Sequence, residues 1–83
     1  MKIAENISWK TLQDKVVAVN VTSGVYYTMN AVASDIWQAI GRGLDEAGVL
    51  EYLKGEYPDV AAEELAADLK EQLEQWRAEK LLE

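Results

Sequence analysis

VVAVNVTSGVYYTMNAVASDIWQAI, residues 16–40, holds a strand, a turn, a second strand and the start of a helix in one unbroken reading. Val16 to Thr22 is β-branched and uncharged, Thr22-Ser23-Gly24 supplies turn chemistry, and Val25 to Met29 is again β-branched and aromatic, the composition of a hairpin. Gly24 takes positive φ without steric cost and is expected to set a loop of about two to four residues. The period then changes. After Asn30, whose side-chain oxygen suits a helix cap, apolar residues fall at Ala33, Ile36, Trp37 and Ile40, the i, i+3, i+4, i+7 spacing of one helix face.

Upstream, Ile3 to Leu12 reads as a first strand, with Ile7, Trp9 and Thr11 on one side and Ser8, Lys10 and Leu12 on the other. Gln13-Asp14-Lys15 is a polar turn, so the three strands form an antiparallel meander, which needs helices on one face to be stable in water. In the second strand Val17, Val19 and Val21 alternate with Val16, Ala18 and Asn20; in the third Val25, Tyr27 and Met29 alternate with Tyr26 and Thr28. The sets with three large apolar residues are expected to face the core.

Downstream, the first helix, about 31–40, ends at Gly41-Arg42-Gly43, where a glycine can take the left-handed cap conformation. A second helix is expected from a cap at Asp45 through Val49, Leu50, Leu53 and Tyr57 to the stop at Pro58. Asp59 is the expected cap of the third and longest helix, about 60–80. Its apolar positions Ala62, Leu65, Ala66, Leu69, Leu73 and Trp76 keep helical spacing, and Glu63 and Glu64 suit the positive end of its dipole. The fold class is α+β, winged-helix-like: a three-stranded antiparallel sheet followed by three helices, in one domain spanning residues 1–83.

Composition narrows the function. The 83 residues carry 8 basic and 15 acidic side chains, a net charge of −7. The imbalance lies entirely after Ile40, where five basic residues face twelve acidic ones. Such a field repels a phosphate backbone, whose binding needs Lys and Arg to displace counterions, and favours a neutral or basic partner; no nucleic-acid partner is expected. With neither His nor Cys, imidazole or thiolate metal sites and His- or Cys-based catalytic arrangements are excluded. No Gly-rich phosphate cradle is present, and the carboxylates of the third helix have the spacing of a solvated face. No cofactor, no metal and no catalytic residue is expected. No apolar run approaches the roughly 20 residues of a membrane span, and MKIAENIS has no apolar signal-like core; the expected location is cytoplasmic, with no membrane partner.

The valine-rich strand, the Ser-Gly turn, the aromatic strand ending in Tyr-Thr-Met-Asn and the helix with its Ile-Trp pair together resemble the PqqD-like family, the RiPP recognition elements that bind leader peptides in ribosomal peptide modification pathways. The matching positions are Gly24, Tyr27, Met29 (where the family usually has Leu), Asn30 and Trp37. Among free-standing members the chain is most similar to the leader-binding proteins of lasso peptide biosynthesis. The resemblance implies a non-catalytic adaptor: a precursor's leader peptide adds as a strand to the third strand, in a cleft closed by the third helix, and is delivered to a leader peptidase and a cyclase. Carried onto this chain, the strand side is Val25, Tyr26, Tyr27, Thr28 and Met29. The helix side is drawn from Leu65, Asp68, Leu69, Gln72, Leu73 and Trp76. Physical chemistry supplies its own argument for that edge: residues 25–29 hold no charge and no proline, so nothing protects it from pairing, with a leader or with a second copy of the chain. The alternatives are a PqqD-type peptide chaperone for a radical enzyme, a winged-helix DNA-binding regulator, or a structural subunit that completes another protein's sheet. Salt separates peptide from DNA: DNA affinity falls steeply with ionic strength, whereas strand addition into an apolar cleft should change little.

Overall fold

The computed structural model describes residues 1–83. Two turns order the sheet β1 (Ile7–Leu12), β2 (Lys15–Asn20) and β3 (Tyr26–Thr28), antiparallel in the order β1-β2-β3. The first is a two-residue loop with both residues left-handed, Gln13 at φ 50° and Asp14 at φ 70°, the geometry that matches strand twist in a tight hairpin. The second is organised by Asn20. Its side-chain oxygen accepts from the N–H groups of Thr22 (2.9 Å) and Ser23 (3.1 Å), while Gly24, at φ 78°, donates its own N–H to the Asn20 carbonyl at 2.7 Å.

The register places Trp9 beside Ala18 and Ala18 beside Tyr27, and directly opposed residues share a face. That face is the core side. Val16 and Ala18 are 0% and 1% exposed, whereas Val21 is 63% exposed, so the expected inward face of the second strand, Val17, Val19 and Val21, is the wrong one. Counting apolar residues favours the valines; the cross-strand partners decide otherwise, because small Ala18 stands between the large rings of Trp9 and Tyr27. On the third strand Tyr27 and Met29 do turn inward, but Val25 lies before the strand and is exposed. The outer face of the sheet, with Leu12, Val17, Val19 and Tyr26, is covered by no helix.

Helix α1 (Ala31–Gly41) starts at Asn30, whose side chain accepts from the Ala33 N–H at 2.9 Å, and ends with Gly43 at φ 92°. Ser34, fully buried on α1, completes the sheet: its hydroxyl accepts from the Val16 N–H (2.8 Å) and donates to the Met29 carbonyl (3.3 Å). It thus bridges a rung of the β2–β3 ladder whose other half, Met29 N–H to the Val16 carbonyl, is direct at 3.1 Å. Helix α2 (Glu46–Glu56) is capped by Asp45, which accepts from the Gly48 N–H at 2.8 Å. Helix α3 (Ala62–Ala78) begins later than expected. Asp59 does not cap it, because residues 57–60 form a turn closed by the Val60 N–H on the Tyr57 carbonyl, and the cap position falls to Ala61, which has no side-chain acceptor.

Trp37 stands at the centre of the core, fully buried, with Trp9 and Trp76 packed edge-on against it at centroid distances of 6.3 and 5.1 Å. After α3 the chain turns through Lys80, at φ 63°, and Leu81 and Leu82 bury themselves beside the N-terminal segment. Ala4 donates its N–H to the Leu81 carbonyl, Glu83 donates to Lys2, and Ile3 bridges Leu82. The first strand is therefore shorter than expected, since residues 4–6 turn away from this bridge before β1 begins. No helix is long and apolar enough to cross a membrane.

One bond ties α2 to α1: the Tyr57 hydroxyl donates to Asp35 Oδ2 at 2.6 Å. That bond, then burial and nearby negative charge, pushes the Tyr57 phenol from 10.0 up to about 12. The folded value lies above the unfolded one, so the stabilisation is whole below pH 10 and disappears as pH rises toward 12. Tyr57→Phe is expected to lower the melting temperature at neutral pH by about 4–8 °C, corresponding to about 1 kcal/mol for a half-exposed bond. Melts followed by circular dichroism should show the gap between wild type and variant narrowing above pH 10; a gap that stays constant to pH 12 would refute the assignment.

Candidate functional site

β3 is an edge strand, and its register shows which backbone groups remain free. The Met29 N–H bonds to Val16 and the Asn20 N–H bonds to Val25, so the pairs 16/29 and 20/25 occupy hydrogen-bonding positions. Alternation along an antiparallel ladder then makes Ala18/Tyr27 the next such pair. Tyr26 and Thr28 are left with N–H and C=O directed at the open side. Neither is charged, neither is proline, and Tyr26 is 72% exposed.

Beside this edge runs a groove between β3, the start of α1 and α3. One section, about 450 Å³, is lined by residues 26–30 with Ala33, Gln72, Gln75, Trp76 and Glu79. A second, about 310 Å³, continues it past Asn30, Val32, Ala33 and Ile36 along Asp68, Glu71, Gln72 and Gln75. Of the residues expected from sequence, Tyr26, Tyr27, Thr28, Met29, Asp68, Gln72 and Trp76 line this groove. Val25 flanks it. Leu65, Leu69 and Leu73 do not line it: they are buried in the core, on a stripe of α3, the helix that packs against α2.

The groove wall of α3 is the neighbouring stripe, Asp68, Gln72, Gln75 and Glu79, at i, i+4, i+7 and i+11. Gln75, Glu79, Glu71, the cap residue Asn30 and the α1 residues Val32, Ala33 and Ile36 also line the groove and are not among the residues expected from the sequence. The signal for the α3 members was available as a polar stripe with helical period rotated from the leucines; for Val32 and Ala33 none existed, since only packing of α1 on α3 brings them there. The combined lining contains three carboxylates, three amides and no Lys or Arg. The sole ion pair of the molecule, Lys54–Glu51 at 3.6 Å, lies elsewhere on α2. No base-activated nucleophile faces the groove. What the arrangement offers is a row of unpaired backbone donors and acceptors, an aromatic and thioether floor in Trp76, Tyr27 and Met29, and an anionic rim.

A sequence model of the family described as coenzyme PQQ synthesis protein D (PqqD) matches residues 15–82. No curated protein sequence matches. Two solved structures share the fold. One, described as TbiB1 in complex with the TbiA(beta) leader peptide, superposes with a TM-score of 0.94 at 28% identity, covering 100% of this chain and 95% of that one. The other, described as lasso peptide synthetase B1 complexed with the leader peptide, gives 0.85 at 22% identity, covering 96% and 93%; at that identity the likeness speaks for the fold.

Proposed function

From the premise that the chain belongs to the PqqD family, we propose that it is a non-catalytic adaptor for a ribosomally made precursor peptide. The leader segment adds as an antiparallel strand to β3, its backbone bonded to Tyr26 and Thr28 and its alternate side chains turned toward Gln72, Gln75 and Trp76. The observation that carries this reading is the juxtaposition of an unprotected sheet edge with a groove of about 450 Å³ that runs beside it. Leader binding is supported by the likeness to TbiB1, described in complex with a leader peptide, and the lasso branch is the one we favour because the fold is shared with a structure described as lasso peptide synthetase B1; a leader peptidase and a cyclase are then the expected recipients and the cytoplasm the expected compartment. In this scheme Leu65, Leu69 and Leu73 anchor α3 in the core, and Val25 lies exposed just before β3, within reach of an added strand.

DNA binding is disfavoured by an anionic third helix and by the absence of any Lys or Arg from the groove. The test is fluorescence anisotropy of a labelled leader segment from the precursor-like reading frame beside the gene, with a scrambled peptide and a DNA duplex as controls. Saturable binding of the leader alone, with a dissociation constant between about 1 nM and 1 μM, is expected. Binding of the duplex alone would replace the adaptor with a regulator, and failure of every neighbouring peptide would remove the adaptor reading.

A further inference from the structure

We infer that the segment seated in the groove is basic, carrying Lys or Arg at the two ends of the stretch that pairs with β3; this rests on the adaptor reading and specifies its ligand. The groove is not the apolar cleft that strand addition alone calls for. Its carboxylates stand apart, Glu79 at the Tyr26 end and Asp68 with Glu71 at the Val32 end, with Asn30, Gln72 and Gln75 between them. They are spread along the wall and form no group of three that could hold a metal ion. None is neutralised within the molecule, because no cation lines the groove and the one ion pair lies on another helix.

A strand laid on β3 turns alternate residues inward. The inward residue opposite Tyr27 meets the Gln75 and Trp76 level, where an apolar or aromatic side chain fits the floor. Inward residues further out approach the carboxylates at either end. A helical rise of 1.5 Å per residue puts Asp68 and Glu79 about 16 Å apart along α3, the length of about five residues of extended chain. The complementary ligand is therefore an extended segment with a central apolar residue and cations about four to six residues apart. Free amides between the carboxylates accept from or donate to the segment without selecting charge.

The test pairs two ligands with two proteins: the labelled leader segment and its copy with every Lys and Arg replaced by Gln, against wild type and the Asp68→Lys/Glu71→Lys variant. Both substituted residues are exposed, so the variant should keep the wild-type melting curve. For wild type, loss of the peptide cations should weaken binding about tenfold, and raising salt from about 50 to about 300 mM should weaken the basic peptide about three- to tenfold, far less than a duplex-binding protein loses. In the variant the preference for the basic peptide should vanish. Equal affinity of wild type for both peptides would overturn the charge assignment while leaving the adaptor intact. No affinity for either would overturn both.

Discussion

Thr28→Pro is expected to lose about 100-fold in affinity for the leader segment while remaining folded. The Thr28 N–H lies on the open side of β3, because the ladder bonds to β2 are made at Met29, Tyr27 and Val25. Proline removes this donor and no bond that the free protein uses, and it is accommodated on edges whose N–H faces solvent. It also restricts the preceding residue to extended backbone, which Tyr27 already has within β3. The lost bond and the peptide carbonyl left unpaired in the groove together cost about 2–3 kcal/mol, and each 1.4 is tenfold. Thr28→Ala, which keeps the N–H, should bind within about threefold of wild type, so the pair separates backbone pairing from side-chain contact. Anisotropy gives the affinities and circular dichroism the fold; a proline variant that binds like wild type would remove strand addition at β3.

The largest effect on stability is expected at Trp37. Truncation to alanine removes the ring on which Trp9 and Trp76 pack edge-on and should cost about 3–5 kcal/mol, a large part of the roughly 4–12 kcal/mol that a domain of 83 residues has. The melting temperature should fall by about 15–30 °C. Trp37→Phe is the informative companion. The Trp37 Nε1–H is the only buried side-chain donor without an acceptor, so phenylalanine keeps most of the packing and removes an unsatisfied group. A cost below about 2 kcal/mol would fit that balance, whereas a phenylalanine variant as unstable as alanine would mean that the indole nitrogen has a partner in solution. Trp76 also floors the groove, so the alanine variant should lose peptide affinity at temperatures where it is still folded.

The elements that a reader of the sequence can place are those whose causes are local. Asn30 and Asp45 cap the helices they were expected to cap because an Asx side chain reaches its own helix N–H groups without help from elsewhere. Ile36 and Trp37 are core because the helix period leaves them no other side. The inward face of β2 was not legible from β2, since Val16 and Ala18 are selected by Trp9 and Tyr27 on other strands. Asp59 had the right chemistry two residues too early, displaced by the turn after Pro58. At the candidate site, the strand wall follows from one uncharged segment, but the α3 wall required telling two adjacent stripes apart. The leucines at 65, 69 and 73 carry the stronger periodic signal and belong to the core, which leaves the weaker polar stripe for the groove.

The pairing of the segment around Ile3 with the one around Leu82 has an architectural consequence. The point of entry and the point of exit stand one ladder spacing apart, about 5 Å, on a body whose longest dimension is 38 Å. A host protein can therefore accept this fold as an insertion in a surface loop, opening that loop no wider than a hairpin does, and a fused passenger leaves from the same corner whichever end carries it.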